Sequence, residues 1–152
     1  MTTHDPFDDL LRALSASDQT IEESGVRIDR SRRLRTGAPE VIFGQGKSAD
    51  QLIAAVRRLI ELEGRALIAR IDLTHAPAVV ATLSVDGLET TFDSHARTLL
   101  AAHPNVDPAS SGGRVGILTA GSSDRPQAAE AAAVLTEMGC STMVRYDMGV
   151  AG

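Results

Sequence analysis

Apolar residues along the chain follow two rhythms, helical spacing and short unbroken runs, and together they predict an alternating α/β order. Phe7, Leu10, Leu11 and Leu14 stand at i, i+3, i+4 and i+7, one apolar face of a short amphipathic helix. Asp5 is placed to cap it, and Pro6 suits its first position, where no backbone N–H is needed. Residues 15–23 are more polar and predict loose order or a second short helix. Val41, Ile42 and Phe43 form an apolar run between two turns, residues 36–40 and 44–47, and read as a strand. Leu52, Ile53, Val56, Leu59 and Ile60 share one face of the best-defined helix. Ser48 and Gln51 open it as a capping box, and Gly64 stops it. Residues 66–69 predict a strand ending at Arg70. Residues 76–83 predict a helix entered through Pro77, and residues 88–92 a strand after the Asp86-Gly87 turn signal. Residues 93–99 close this region.

A new unit begins after residues 103–113, which hold prolines, serines and glycines with one large apolar residue, Val106. That composition predicts a linker. Val115, Ile117 and Leu118 then form a buried-strand run that suits a central parallel strand covered on both faces. Ala128, Ala132, Leu135 and Met138 give the stripe of a helix over residues 124–138, ended by Gly139. Residues 140–146 read as the next strand, completing a right-handed β-α-β unit. The predicted organisation is a helical segment at 1–26, a small α/β domain at 27–103, a linker at 104–112 and a second α/β unit at 113–152. Two parallel strands and one helix leave a parallel sheet uncovered. The second unit is therefore expected to be the incomplete front of a parallel-sheet domain.

The chain has 152 residues, with 15 Lys and Arg against 20 Asp and Glu, for a net charge of −5. That balance argues against a nucleic-acid partner, which needs a basic footprint. One cysteine, Cys140, excludes an internal disulfide framework and a thiolate zinc cluster. The N-terminus lacks the basic and apolar regions of a signal peptide, and no apolar run reaches the roughly 18 residues of a membrane span. The expected location is the cytoplasm, with no membrane partner.

The residues with candidate chemistry cluster in two stretches. Gly121, Ser122, Ser123 and Asp124 follow the central strand and lead into a helix whose first turn holds Pro126. Gly121 lets backbone come close to a ligand, and the free amides of a helix start favour phosphate. The same residues could equally do no more than cap the helix. Neither the dinucleotide-binding nor the P-loop glycine pattern is present. The second stretch, residues 27–47, crowds Asp29, Arg30, Arg32, Arg33 and Arg35 ahead of Lys47. In a helix, Asp29, Arg32 and Arg35 would project to one side. Guanidinium forks suit carboxylates and phosphates, although charge runs are commonly solvated faces. His4, His75, His95 and His103 are scattered without metal-ligand spacing, so no metal site is expected. Cys140 at a helix-to-strand junction reads as an ordinary small buried thiol.

Asp29-x-x-Arg32-x-x-Arg35-x-Gly37-x-Pro39-Glu40-Val41 with Lys47 resembles the N-terminal signature of the LarB family of nickel-pincer cofactor biosynthesis. Residues 119–124, with residues 146–152, resemble the start of its second domain, which is similar to PurE-type phosphoribosylaminoimidazole carboxylases. Ala69-Arg70 and Asp93-x-x-Ala96-Arg97 also look like the family. The resemblance runs from about Asp29 to the last residue. It implies a flavodoxin-like, parallel-sheet second domain, present here only as its first β-α-β unit. It also implies carboxylation of the pyridinium ring of nicotinic acid adenine dinucleotide by CO2 together with hydrolysis of the phosphoanhydride. The products would be pyridinium-3,5-biscarboxylic acid mononucleotide and AMP. By the same resemblance, Ser123 and Asp124 contact the phosphoribosyl part, with Gly121 and Ser122 beside them. Arg32, Arg35, Lys47 and Asp147 are candidates for substrate or interdomain contacts. No organic cofactor is implied; CO2 or bicarbonate is the co-substrate, Mg2+ a candidate ion, and a homo-oligomer the expected assembly of a complete chain. The catalytic residues are expected beyond Gly152, so this chain alone is expected to be inactive. The alternatives are a PurE-type purine enzyme, an inactive nucleotide-binding fragment, and the product of a disrupted reading frame.

Overall fold

The computed structural model describes the backbone of residues 20–23 and 26–29, and residues 36–149 with their side chains. The helix expected around Phe7–Leu14, and both Arg32 and Arg35, lie outside the described residues. The chain is α/β. Its first described element is an antiparallel hairpin of β1 (Thr20–Glu23) and β2 (Val26–Asp29), in which Ile21 stands opposite Ile28. Residues 20–23 are thus extended rather than loose or helical, and Asp29 ends a strand. β-Branched Thr20, Ile21, Val26 and Ile28 carry the extended preference that the polar neighbours obscured.

The central layer is a four-stranded sheet of β3 (Val41–Phe43), β4 (Arg65–Ala69), β5 (Glu89–Asp93) and β6 (Thr98–Ala102), in the order β3-β4-β6-β5. β3 runs parallel to β4, and β6 runs antiparallel to both β4 and β5. The sequence reading missed β6, placing only a closing segment there. The crossover from β3 to β4 is helix α1 (Ala49–Glu63), and helix α2 (Ala76–Val85) joins β4 to β5. The capping box forms as expected. The Ser48 hydroxyl accepts from Gln51 N–H at 3.3 Å, and the Gln51 side chain accepts from Ser48 N–H at 3.0 Å. Gly64 closes α1 in the left-handed conformation, its N–H reaching Ile60 O at 2.8 Å.

The core lies on one face of this sheet, where Ile42, Ala66, Ile68, Leu99 and Ala101 meet Leu52, Val56 and Leu59 of α1 and Val79 and Leu83 of α2. The side-chain period of two sends Arg65, Leu67 and Ala69 to the opposite face. Leu67 and Ala69 are buried there too. Their cover is helix α3 (Arg125–Glu137), which packs against β4 from the second unit.

α3 connects β7 (Arg114–Leu118) to β8 (Ser141–Arg145), a parallel pair in which Gly116 faces Met143. A short 3-10 turn, Ser122–Asp124, precedes the helix. α3 therefore lies between the two sheets. β7 departs from the expectation of a strand buried on both faces. Its inner face, Val115 and Ile117, is half-buried against the α3 side, while Leu118 is 68% exposed on the outer one. Among the described residues β7 pairs with β8 alone. The connecting residues 103–113 hold no helix or strand but are tied down. Arg65 donates to the Val106 carbonyl, and Ser111 N–H donates to Gly139 O at 2.9 Å.

Candidate functional site

Because β7 and β8 are parallel, their C-terminal ends lie side by side, where open parallel sheets place their ligands. Thr119 continues the pairing past β7. Its N–H donates to Arg145 O at 3.1 Å, and its carbonyl accepts from Met148 N–H at 2.8 Å. Its hydroxyl accepts from Asp147 N–H at 3.3 Å. Thr119 is buried, so this strand end is fixed. Residues 121–124 extend from it toward solvent, with Gly121 half-buried and Ser122, Ser123 and Asp124 exposed.

The capping alternative for these residues is not what the structure adopts. Asp124 stands at the N-cap of α3, but its side chain makes no cap hydrogen bond. It accepts instead from the Ser123 hydroxyl at 3.2 Å. Gly121, ahead of the 3-10 turn, likewise provides no side-chain cap. Asp124 N–H donates to Gly121 O at 3.4 Å and Arg125 N–H to Ser122 O, which leaves the Ser122 and Ser123 amides as the turn's open donors among the described residues, and the helix dipole there favours negative charge. The loop thus presents hydroxyls and backbone donors at the end of a parallel strand, a surface suited to sugar hydroxyls and phosphate oxygens.

Asp147, which follows β8 with φ +58°, pairs with Arg125 in the first turn of α3. The Arg125 guanidinium also sits 5.2 Å from the Tyr146 ring centroid. Asp147 therefore braces the start of α3 against the end of β8. Lys47 is half-buried in the turn after β3, and among the described residues its ammonium has no ion pair. Cys140 precedes β8, at the opposite end of the strand pair, with its Sγ 3.4 Å from the Ser111 hydroxyl. That position removes it from chemistry at the strand C-termini. No group of three or more His, Cys, Asp or Glu that could hold a metal lies among the described residues.

A second constellation stands at one end of the two central strands of the four-stranded sheet. Arg70 follows β4 and Arg97 precedes β6, and both adopt φ +54°. The sequence reading noted the segments containing them but assigned neither a role. Nearby, the Asp72 carboxyl is held below its ordinary value. Hydrogen bonds from the Thr74 N–H and hydroxyl are the main cause, with the charges of His75 and Arg97 adding to it.

An uncharacterized protein of Methanocaldococcus jannaschii is 37% identical over 131 residues, which are 86% of this chain and 51% of that protein. The chain thus spans about half the length of the curated relative it matches. Residues 21–103, from the β1–β2 hairpin to the end of β6, match the profile of the LarB/PurE-like N-terminal domain. With more than half of its length in that match, the chain belongs to the LarB/PurE-like N-terminal domain family.

Proposed function

We propose that the chain contributes the substrate-binding front of an enzyme that carboxylates the pyridinium ring of nicotinic acid adenine dinucleotide and hydrolyses its phosphoanhydride. The family is of carboxylase and mutase type. The observation that carries the finer reading is the uncapped Ser122-Ser123-Asp124 turn at the C-terminal end of a parallel strand. There, Ser122 and Ser123 with the turn amides suit phosphate oxygens, and Asp124 suits ribose hydroxyls. In the reaction a carbon–carbon bond forms between CO2 and the ring, and the ring carbon loses its proton. Water splits the P–O–P linkage into two phosphate monoesters. The residues of this chain supply binding and orientation. The groups that handle CO2 are, in this reading, carried by the remainder of a longer protein.

The test is incubation of this chain, and separately of the longer Methanocaldococcus relative, with nicotinic acid adenine dinucleotide and bicarbonate, followed by mass analysis. AMP and the carboxylated mononucleotide are expected from the longer protein. In that protein, alanine at the position of Asp124 should lower the yield about tenfold or more, the range for one lost orienting contact. Turnover of carboxyaminoimidazole ribonucleotide in place of the dinucleotide would establish the PurE-type alternative. Absence of both activities from both proteins would overturn the reading.

A further inference from the structure

Between the two units, where β4 ends and β6 begins, lies a cavity of about 260 Å3 lined by Gln45, Arg70, His95, Arg97, Gln127 and Glu130. The lining holds two arginines and one carboxylate, Glu130, which Arg70 contacts. The fold holds the arginines in place. Ile71 N–H donates to Arg97 O at 3.0 Å, and Arg97 Nε donates back to Ile71 O at 3.0 Å. This exchange uses one of the five N–H groups of Arg97. Its terminal amino groups have no partner among the described residues. Arg70 lies with its guanidinium carbon 5.6 Å from the Phe43 ring centroid, and its Nε meets both Glu130 oxygens at 3.3 Å. That contact is long for a charged pair, whose usual range is about 2.7–2.9 Å. The terminal amino groups of Arg70 are also unengaged among the described residues.

We infer that this cavity is a phosphoryl-binding site in which Arg70 and Arg97 together hold one oxyanion, and that Glu130 is the carboxylate the ligand displaces from Arg70. A carboxylate is filled by a single guanidinium fork, whereas two forks call for the additional oxygens of a phosphoryl group. The side-chain amides of Gln45 and Gln127 add neutral donors. Free phosphate and the phosphate of a nucleotide share this chemistry. The site does not depend on the carboxylation reading, since it is defined by anion binding alone.

The test is titration of the 15N-labelled chain with inorganic phosphate and with AMP, using nicotinate as the carboxylate control. Amide shifts are read at Ile71, Ala96, Arg97 and Gln127. Saturable shifts with phosphate are expected. Arg70→Gln and Arg97→Gln should each weaken phosphate about tenfold or more. Glu130→Gln should tighten it about threefold or more, an opposite sign that damage to the fold does not produce. AMP that competes with phosphate identifies a nucleotide ligand, and phosphate alone identifies a free anion; either outcome supports the site. No saturable shift with phosphate or AMP, saturation by nicotinate alone, or unchanged affinity in both arginine variants would overturn it. If an arginine variant loses its dispersed spectrum, Glu130→Gln decides. Weaker or unchanged binding in that variant refutes the arrangement.

Discussion

Gly44 carries the pairing of β3 one step beyond Phe43, its N–H reaching Ala69 O at 2.7 Å. A Cβ there would meet Ile68 Cγ2 at 2.9 Å, Ile71 Cα at 3.0 Å and Ala69 O at 3.2 Å. Ile68 and Ile71 are both fully buried, and two of these three neighbours are backbone atoms, so the space cannot be recovered by rotating a side chain. Gly44→Ala is therefore expected to lower stability by about 1–3 kcal/mol, the usual cost of overpacking. Urea unfolding should show a lower midpoint with an unchanged slope. An unchanged midpoint would mean that β3 slides on β4 without loss. Read in sequence, Gly44 is only a turn residue. Its constraint comes from β4, more than twenty positions away. Arg70 and Arg97 are similar. Each is visible in the sequence, but the antiparallel pairing of β4 with β6 is what brings them to one end of the sheet. Pattern along the chain does not carry that pairing. The strand-end loop was legible for the opposite reason. Residues 119–124 are local in sequence, and their position depends only on the strand before and the helix after.

Among the elements, α1 was fully readable because its signals agree. The capping box, the apolar stripe and the stop at Gly64 all specify the same helix. Loss of the Ser48 hydroxyl leaves an N-terminal N–H of the helix without its acceptor, so Ser48→Ala should cost about 1 kcal/mol. The measurement is a thermal midpoint, and it should fall without any change in helix content at 25 °C. Gln51→Ala removes only the return bond to Ser48 N–H and should cost less. Equal effects would show that the two bonds act as one unit. β6 escaped the sequence reading for a physical reason. Leu99 and Ala101 face the core, while Thr98 and Ala102 are buried on the other face, so its residues do not alternate. A strand covered on both sides carries no period-two signal. β7 shows the reverse error. Its continuous apolar run suggested cover on both faces, yet Leu118 is exposed on the outer one.

At the scale of the whole molecule, an ion pair sunk between β4 and α3 helps to join the two units. Arg65 Nε and one terminal amino group donate to the two Glu137 oxygens at 2.9 Å and 2.8 Å. The side chains of Arg65 and Glu137 are only 12% and 7% exposed. The hydrogen bond to Glu137 raises the Arg65 pKa above its ordinary value, despite burial that opposes it. Arg65 also donates to Val106 O, so the same side chain pins the connecting residues. Removing one partner leaves the other charged and desolvated, which costs about 3–5 kcal/mol. Arg65→Met and Glu137→Leu are each expected to destabilise the protein by an amount in that range. The double variant replaces both charges with apolar groups of similar size and should recover most of the loss. Hydrogen exchange adds where the loss falls. In the single variants, amides of α3, β7 and β8 should lose protection before those of the four-stranded sheet, whose core faces α1 and α2 instead. Uniform loss across both units would show that they unfold as one body. Single variants as stable as the parent would show that the pair contributes nothing to their joining. The cavity at Arg70 and Glu130 opens along this same seam. A variant that loosens α3 from β4 should therefore also change the affinity for phosphate there, since α3 supplies both Gln127 and Glu130.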